Sequence, residues 1–214
     1  PVSLVEQGLD RTIWQTHVVP FQQTATVFSL RDCSTDNDLA SVEDLVFPEL
    51  VYFSIVNCTI GDESAVVLAK VIELAPKLER VYLYDTYIGA GDRNIYRMLL
   101  TATSRNPSVG LLLFDPSTSF VDIVAWIDFP YIKWISFYLD PDGWNGTPLE
   151  TRFIRLARCF PRLSHIVVTG DYEMQSVVST IMREYNKRLG ITLVGNGMVN
   201  ETAQLLMDIS IQTG

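Results

Sequence analysis

The segment from residue 47 to residue 60 constrains the fold of this chain more than any other stretch. Its apolar residues follow the spacing L-x-x-L-x-L-x-x-C-x-L, filled by Leu50, Phe53, Ile55, Cys58 and Ile60. This spacing predicts a strand with apolar residues at period two, followed by a turn that encloses the cysteine. The same spacing returns one interval later, at Leu78, Val81, Leu83, Thr86 and Ile88. A chain that repeats one strand and one turn in this way is expected to stack its repeats.

Weaker copies of the spacing extend the repeat over most of the chain. Starts 23 to 31 residues apart are found at Ala25, Leu50, Leu78, Val109, Ile132, Leu163 and Arg188. The intervals carry apolar residues at i, i+3 and i+4, which predicts helices over 62–75, 92–104, 148–160 and 173–187. Asp62 and Asp92 are the expected N-caps, and 200–211 is expected to form a closing helix. Five of the ten prolines stand two residues before a repeat start, at Pro48, Pro76, Pro107, Pro130 and Pro161.

Residues 1–24 do not fit the repeat. Their apolar positions, Leu4, Leu9, Ile13 and Trp14, predict an amphipathic helix that ends before Pro20. We expect this segment to cap the stack or to be the end of a preceding repeat, since a stack leaves an apolar end. The chain therefore divides into an N-terminal segment, 1–24, and a repeat domain, 25–214.

These features resemble the leucine-rich repeat superfamily, in its ribonuclease-inhibitor-like branch. The Phe-Pro-x-Leu segment at Phe47 and the cysteine in the turn are similar to the repeats of F-box-associated proteins. Ile60-Gly61-Asp62-Glu63 resembles the strand-to-helix turns of ribonuclease inhibitors and Ran GTPase-activating proteins. The resemblance implies an α/β solenoid, a horseshoe arc of about six or seven strand–helix repeats. Its parallel sheet would line the concave face and its helices the convex face. No F-box-like Leu-Pro-x-Glu helix precedes the repeats, and no residue matches the activator's arginine.

Composition narrows the possible partners. The net charge of −9 argues against general binding of nucleic acids and suits a basic protein partner, although acidic surfaces also serve solubility. No apolar run reaches the ~18 residues of a membrane span. The chain has three cysteines, Cys33, Cys58 and Cys159. Their odd number favours buried, reduced thiols, which indicates an intracellular location. That location would be either the cytoplasm or an organelle after removal of a targeting segment. Three sequons, at Asn57, Asn145 and Asn200, point the other way.

Strand residues between the core positions are the candidate binding residues. Aromatic and basic side chains recur there, and Tyr, Trp and Arg dominate binding energies at protein interfaces. We predict a partner-binding face formed by Tyr52, Arg80, Tyr82, Tyr84, Lys133, Trp134, Tyr138 and His165. Aromatic residues also favour strands for reasons unrelated to binding. The aspartates that follow the strands, Asp32, Asp85, Asp115, Asp140, Asp142 and Asp171, form either an acidic groove or, as we prefer, caps of turns and helices.

The chain carries no recognisable catalytic motif. His17 and His165 are its two histidines, and Ser164, beside His165, is expected to point to the opposite face of a strand. We therefore predict no catalytic residue, no cofactor and no metal site. The predicted function is a non-catalytic scaffold that binds a protein or peptide through its strand face. The alternatives are a structural subunit of a large assembly and a regulator of a GTPase or nuclease.

Overall fold

The structure is a computed structural model that describes residues 1–5, 8–35, 45–84, 93–114, 127–139, 154, 157–170, 179–180 and 189–195. The elements are β1 (Val2–Val5), β2 (Gly8–Leu9), α1 (Arg11–His17), a 3-10 turn (Val19–Phe21), β3 (Val27–Arg31), β4 (Ser34–Thr35), β5 (Tyr52–Val56), β6 (Thr59–Ile60), α2 (Asp62–Leu74), β7 (Arg80–Tyr84), α3 (Arg93–Arg105), β8 (Leu111–Phe114), β9 (Trp134–Leu139), β10 (His165–Gly170) and β11 (Gly190–Gly195). Three strands of its large sheet, β1, β3 and β5, are each followed in the chain by a shorter strand.

The fold is a mixed α/β structure built on an eight-stranded parallel sheet. Its strands lie in chain order, β1-β3-β5-β7-β8-β9-β10-β11, and the short strands β2, β4 and β6 pair in a second parallel sheet. Pairing keeps the repeat positions level, so that one row of the inner face contains Phe28, Phe53, Val81, Leu112, Ile135 and Ile166. All of these side chains are fully buried. The repeat positions in this row are therefore confirmed as core residues.

Helices α2 and α3 cover the inner face of the sheet. Their apolar stripes are buried in the same cluster as the strand residues, through Leu68 and Ile72 of α2 and through Ile95 and Leu99 of α3. Such stripes exist because residues three and four apart share one side of a helix. Residues 157–159 and 179–180 are also helical and fall within two of the predicted helices.

Proline fixes the turns that lead into the strands. The carbonyl before the proline accepts a hydrogen bond from the amide three residues later, as between Phe47 and Leu50 (3.3 Å), Ala75 and Leu78 (3.3 Å), Asn106 and Val109 (3.3 Å), and Phe160 and Leu163 (3.1 Å). Proline thus occupies the second position of each β-turn, where its fixed φ is favourable. Asn106, itself buried, donates to the carbonyls of Ile72 and Ala75 at 2.7 and 2.8 Å. These bonds satisfy acceptors that the end of α2 leaves free.

The cysteine turns are stacked and reduced. Cys33 and Cys58 are buried free thiols, and the amide of Cys33 donates to Sγ of Cys58 at 3.4 Å. The residue before each cysteine, Asp32 or Asn57, has a positive φ (53° and 49°), a conformation that Asn and Asp tolerate better than most residues. Cys159 is also buried and is not part of a disulfide. The expectation of buried, reduced thiols is confirmed.

The prediction for residues 1–24 was wrong in its first half. Val2–Val5 is a strand that pairs with β3, and the helix begins only at Arg11. The spacing of Leu4, Leu9 and Ile13 resembled a helical stripe, but Val2 and Leu4 are buried while Ser3 and Val5 are exposed. That alternation at period two lets the segment extend the sheet, and sheet pairing outweighs local helical spacing. The helix does end before Pro20, as predicted.

One helix boundary also differs from the prediction. Asp62 is the first helical residue of α2, and Gly61 is its N-cap. Asp62 and Glu63 instead place negative charge in the first turn, where it interacts favourably with the helix dipole. Several predicted features lie outside the described residues: Thr86, Ile88, Asp92, Asn145, Asn200 and the closing helix 200–211. In the described part of the chain, every helix falls short of the length and apolarity required to cross a bilayer.

We predict that Leu83→Ala lowers the free energy of unfolding by about 2–5 kcal/mol, because it opens a cavity in a packed core. Leu83 is fully buried in β7, whereas Leu74 at the end of α2 is 57% exposed. Leu74→Ala is the matched control and should cost less than about 1 kcal/mol. Urea denaturation of both variants measures the difference. Equal losses would contradict the assigned strand register.

Candidate interaction surface

The sheet presents a second set of side chains on the side away from α2 and α3, which we call the strand face. Because side chains alternate along a strand, these residues lie between the core positions. Strand pairing aligns them in three rows. The first row is Val27, Tyr52, Arg80, Leu111, Trp134, His165 and Gly190. The second is Ser3, Ser29, Ser54, Tyr82, Leu113, Ser136, Val167 and Thr192. The third includes Val5, Arg31, Val56 and Tyr84, and the backbones of Tyr138, Thr169 and Val194 pair with one another further along the sheet.

The C-terminal half of the strand face is a second hydrophobic cluster. Leu111 and Leu113 are each 8% exposed and Val167 is fully buried, with Tyr82 and Trp134 packed against them. Side chains removed from solvent on both sides of the sheet are core residues, so this half of the strand face contributes to the core. Trp134 therefore supports the sheet as well as lining its surface.

His165 is held in a cage of three neighbours. Its ring stacks on Trp134 with centroids 4.3 Å apart, and Nε2 shares a 2.8 Å hydrogen bond with Oγ1 of Thr192. On the neighbouring strand its partner in register is Gly190. A Cβ atom there would overlap Nδ1 of His165 and lie 3.0 Å from Cε1. The absence of a side chain at Gly190 therefore makes room for the imidazole. Burial lowers the pKa of His165 from its usual value.

The N-terminal half of the strand face remains accessible and carries what we call the arginine–tyrosine patch: Arg31, Tyr52, Arg80, Tyr82 and Tyr84. Arg31 is exposed and the other four are half-buried. The rings of Tyr82 and Tyr84 lie 5.9 Å apart. In the second row, Oγ of Ser54 donates a hydrogen bond to Oγ of Ser29 at 2.8 Å. Small side chains therefore occupy the space between the arginines and tyrosines of the patch. The patch offers both aromatic area and positive charge.

Tyr52 links the two arginines of the patch. Burial raises the pKa of Tyr52, and a hydrogen bond with Ser54 and the charges of Arg31 and Arg80 partly oppose that rise. Both guanidinium groups therefore act on the same phenol, although they come from strands on either side of β5. Nearby positive charge stabilises the phenolate.

The remaining predicted residues lie at the margins of this surface. Lys133 is exposed and immediately precedes β9, where its carbonyl accepts a hydrogen bond from the amide of Ser164 at 2.8 Å. Tyr138 pairs with Thr169 in the third row, and its side chain lies outside the described residues. Arg31 was missing from the predicted set, although its alternate position in β3 already indicated it. Gly190 and Thr192 were also missed, because only strand pairing places them beside His165.

The rim of aspartates is described only at Asp32. Its carboxylate accepts a hydrogen bond from Nδ2 of Asn57, which joins two successive turns. This contact supports the expected structural role of Asp32. Asp85, Asp115, Asp140, Asp142 and Asp171 lie outside the described residues.

The described side chains are not arranged for nucleophilic catalysis. Oγ of Ser164 donates to the carbonyl of Lys133 at 3.1 Å, while His165 is bonded to Thr192, so serine and histidine engage different partners. Burial raises the pKa of Cys58 and of Cys159 to about 11, which keeps both thiols protonated and weakly reactive at neutral pH. Among the residues described, no cluster of three or more His, Cys, Asp or Glu side chains could hold a metal ion.

A separate groove lies on the opposite side of the molecule, between α2 and α3. It has a volume of about 650 Å³ and is lined by side chains of both charges, including Glu63, Glu73, Arg97 and Arg105. Arg105 and Glu73 approach each other to 3.7 Å. Since these charges partly compensate one another, residues of the groove are suitable controls in experiments on the strand face.

No protein-family model matches this sequence, and a search of curated proteins found no significant relative.

We predict that Gly190→Ala destabilises the protein by about 1–3 kcal/mol, the usual cost of forcing an extra group into a filled space. Gly110→Ala is the matched control, since a Cβ there meets no atom within 4 Å. It should be neutral or slightly stabilising. Thermal or urea unfolding measures both. In a His165→Ala background the cost of Gly190→Ala should fall, and an unchanged cost would show that the imidazole is not the obstacle.

We predict a pH dependence of stability that comes from His165. Its pKa is lowered in the folded protein, so between that value and the unfolded value of about 6.5 the unfolded chain binds more protons. Its contribution is complete above about pH 6.5 and is lost as the pH falls through the folded pKa. The stability difference between wild type and His165→Gln, measured by urea unfolding from pH 7.5 to 5, should change in that direction. A pH profile of His165→Gln identical to that of the wild type would refute the assignment.

Proposed function

We propose that this chain is a leucine-rich-repeat solenoid that acts as a non-catalytic scaffold and binds a protein or peptide through its strand face. The observation that carries this proposal is the arginine–tyrosine patch, which combines accessible aromatic and guanidinium groups on a continuous sheet. Tyrosine and arginine are enriched among the residues that contribute most to binding at protein interfaces.

The repeat architecture is supported by three independent features. The inner row is in register from Phe28 to Ile166, four of the turns that lead into strands carry proline at the same position, and the short strands β2, β4 and β6 form their own parallel ladder. Stacked units of this kind bury a continuous core and present an extended surface on one side.

Rigid placement favours the strand face as a binding site. Residues of the patch project from three adjacent strands, β3, β5 and β7, whose other faces are anchored by the core residues Phe28, Phe53 and Val81. Side chains fixed on such a support lose little further freedom on binding, which lowers the entropic cost of association. The three buried, reduced thiols fit a reducing compartment, which supports an intracellular location.

Photocrosslinking distinguishes the strand face from the helix side. Val56 lies between Arg31 and Tyr84 in the third row, and Val66 of α2 is 43% exposed beside the interhelical groove. We predict that p-benzoylphenylalanine at Val56 forms a defined adduct with a partner in native lysate, whereas the matched substitution at Val66 does not. Tyr84→Ala combined with the Val56 probe should reduce the adduct about tenfold or more.

Other outcomes favour other functions. Adducts from both positions, with several proteins, would indicate a structural subunit embedded in a large assembly. An adduct from Val66 alone would refute binding through the strand face. Tyr82 and Trp134 are avoided in this design because they pack against the second cluster, so their loss would confound folding with binding.

A further inference from the structure

The described part of the strand face carries charge of the opposite sign to the whole chain. The sequence has 25 acidic and 16 basic residues, for a net charge of −9. At the strand-face positions that the structure describes, the charged side chains are Arg31 and Arg80, and no Asp or Glu is found there. The described charges of the strand face are therefore both positive, which suits a partner of negative charge.

Both arginines are available for a partner. Over the described part of the chain, ion pairs join Lys77 to Glu49 and Arg105 to Glu73, and none involves Arg31 or Arg80. The nearest carboxylate in sequence to Arg31 belongs to Asp32, which accepts a hydrogen bond from Asn57 instead. The guanidinium groups therefore retain donors that a carboxylate could engage in a bidentate manner.

We propose that the strand face binds an acidic, extended segment of a protein partner, with carboxylates placed on Arg31 and Arg80 and its backbone lying over Tyr52 and Tyr84. This inference rests on the proposed function and specifies the chemistry of the partner. It replaces the basic partner that the net charge had suggested, because a docked segment contacts the local charges of the face.

Strand geometry sets the spacing of the carboxylates. Arg31 is on β3 in the third row and Arg80 is on β7 in the first, with β5 between them. Two interstrand steps and four residues along the strand separate their backbones by about 16 Å. Tyr52 lies on β5 between them, and both guanidinium charges act on its pKa. Carboxylates about 10–16 Å apart, three to five residues apart in an extended chain, fit this arrangement.

The test uses the full chain and three peptides of equal length. The probe is an acetylated, amidated pentapeptide of alternating Glu and Ala, and its controls replace each Glu by Gln or by Lys. Nitrogen-15 NMR follows the side-chain Nε–H signals of the arginines up to about 5 mM peptide. We expect the glutamate peptide to shift the Arg31 and Arg80 signals saturably and the other two peptides to leave them unchanged. Arg31→Gln or Arg80→Gln should weaken binding about threefold to tenfold. Arg97→Gln, an exposed arginine in the groove between α2 and α3, should not.

Several results would overturn the proposal. These are equal binding of the glutamine peptide, stronger binding of the lysine peptide, or no saturable shift at Arg31 and Arg80 at the highest concentration. Preferential binding of an oligothymidylate of the same charge would point to nucleic acid and would also overturn it. If one of these results is obtained and the photocrosslinking probe at Val56 still forms its adduct, the strand face binds a partner of different chemistry. Loss of that adduct as well would remove the proposed function itself.

Discussion

In-register pairing of equivalent positions on the parallel strands is the constraint on which the rest of this structure depends. Each repeat places its first buried strand residue beside that of its neighbour, as in the sequence Phe28, Phe53, Val81 and Leu112. Because side chains alternate at period two, a shift of one residue in any pair would move an entire apolar set from the core to the strand face. Proline turns precede β5, β7, β8 and β10, and the buried Asn106 holds the turn before β8 against the end of α2, so register and turn geometry reinforce one another at these strands.

The two halves of the sheet use this register differently. In the N-terminal half, one face is packed on the core and the other presents arginine, tyrosine and serine. In the C-terminal half, Leu113 and Val167 are buried on the strand face, so both faces contribute to the core. The His165 cage belongs to this half, where Trp134 and Gly190 close around the imidazole. The C-terminal half of the sheet therefore contributes to the core through both faces, whereas the N-terminal half keeps one face accessible.

The leucine spacing alone predicted the inner rows and the cysteine turns, since those positions depend on local alternation and on one repeated turn. The strand at Val2–Val5 was missed because four residues of alternation are a weaker signal than a longer helical spacing, and only pairing with β3 decides between them. Burial of Leu111 and Val167 could not be predicted, because nothing in their own strands distinguishes a covered face from an open one. The contact of His165 with Gly190 joins residues 25 positions apart and exists only through the register.

The remaining question is whether a net charge of −9 or two local arginines determine what approaches the strand face. Electrostatic interactions between exposed charges are largely screened beyond about 8 Å at physiological ionic strength. The acidic residues that begin α2, Asp62 and Glu63, belong to the helix layer on the other side of the sheet, and a helix packs roughly 10 Å from a sheet it covers. Their charge influences the long-range encounter but contributes little at the surface of the patch. In the binding mode that we propose, Arg31 and Arg80 therefore select the docked segment, rather than the net charge of the chain.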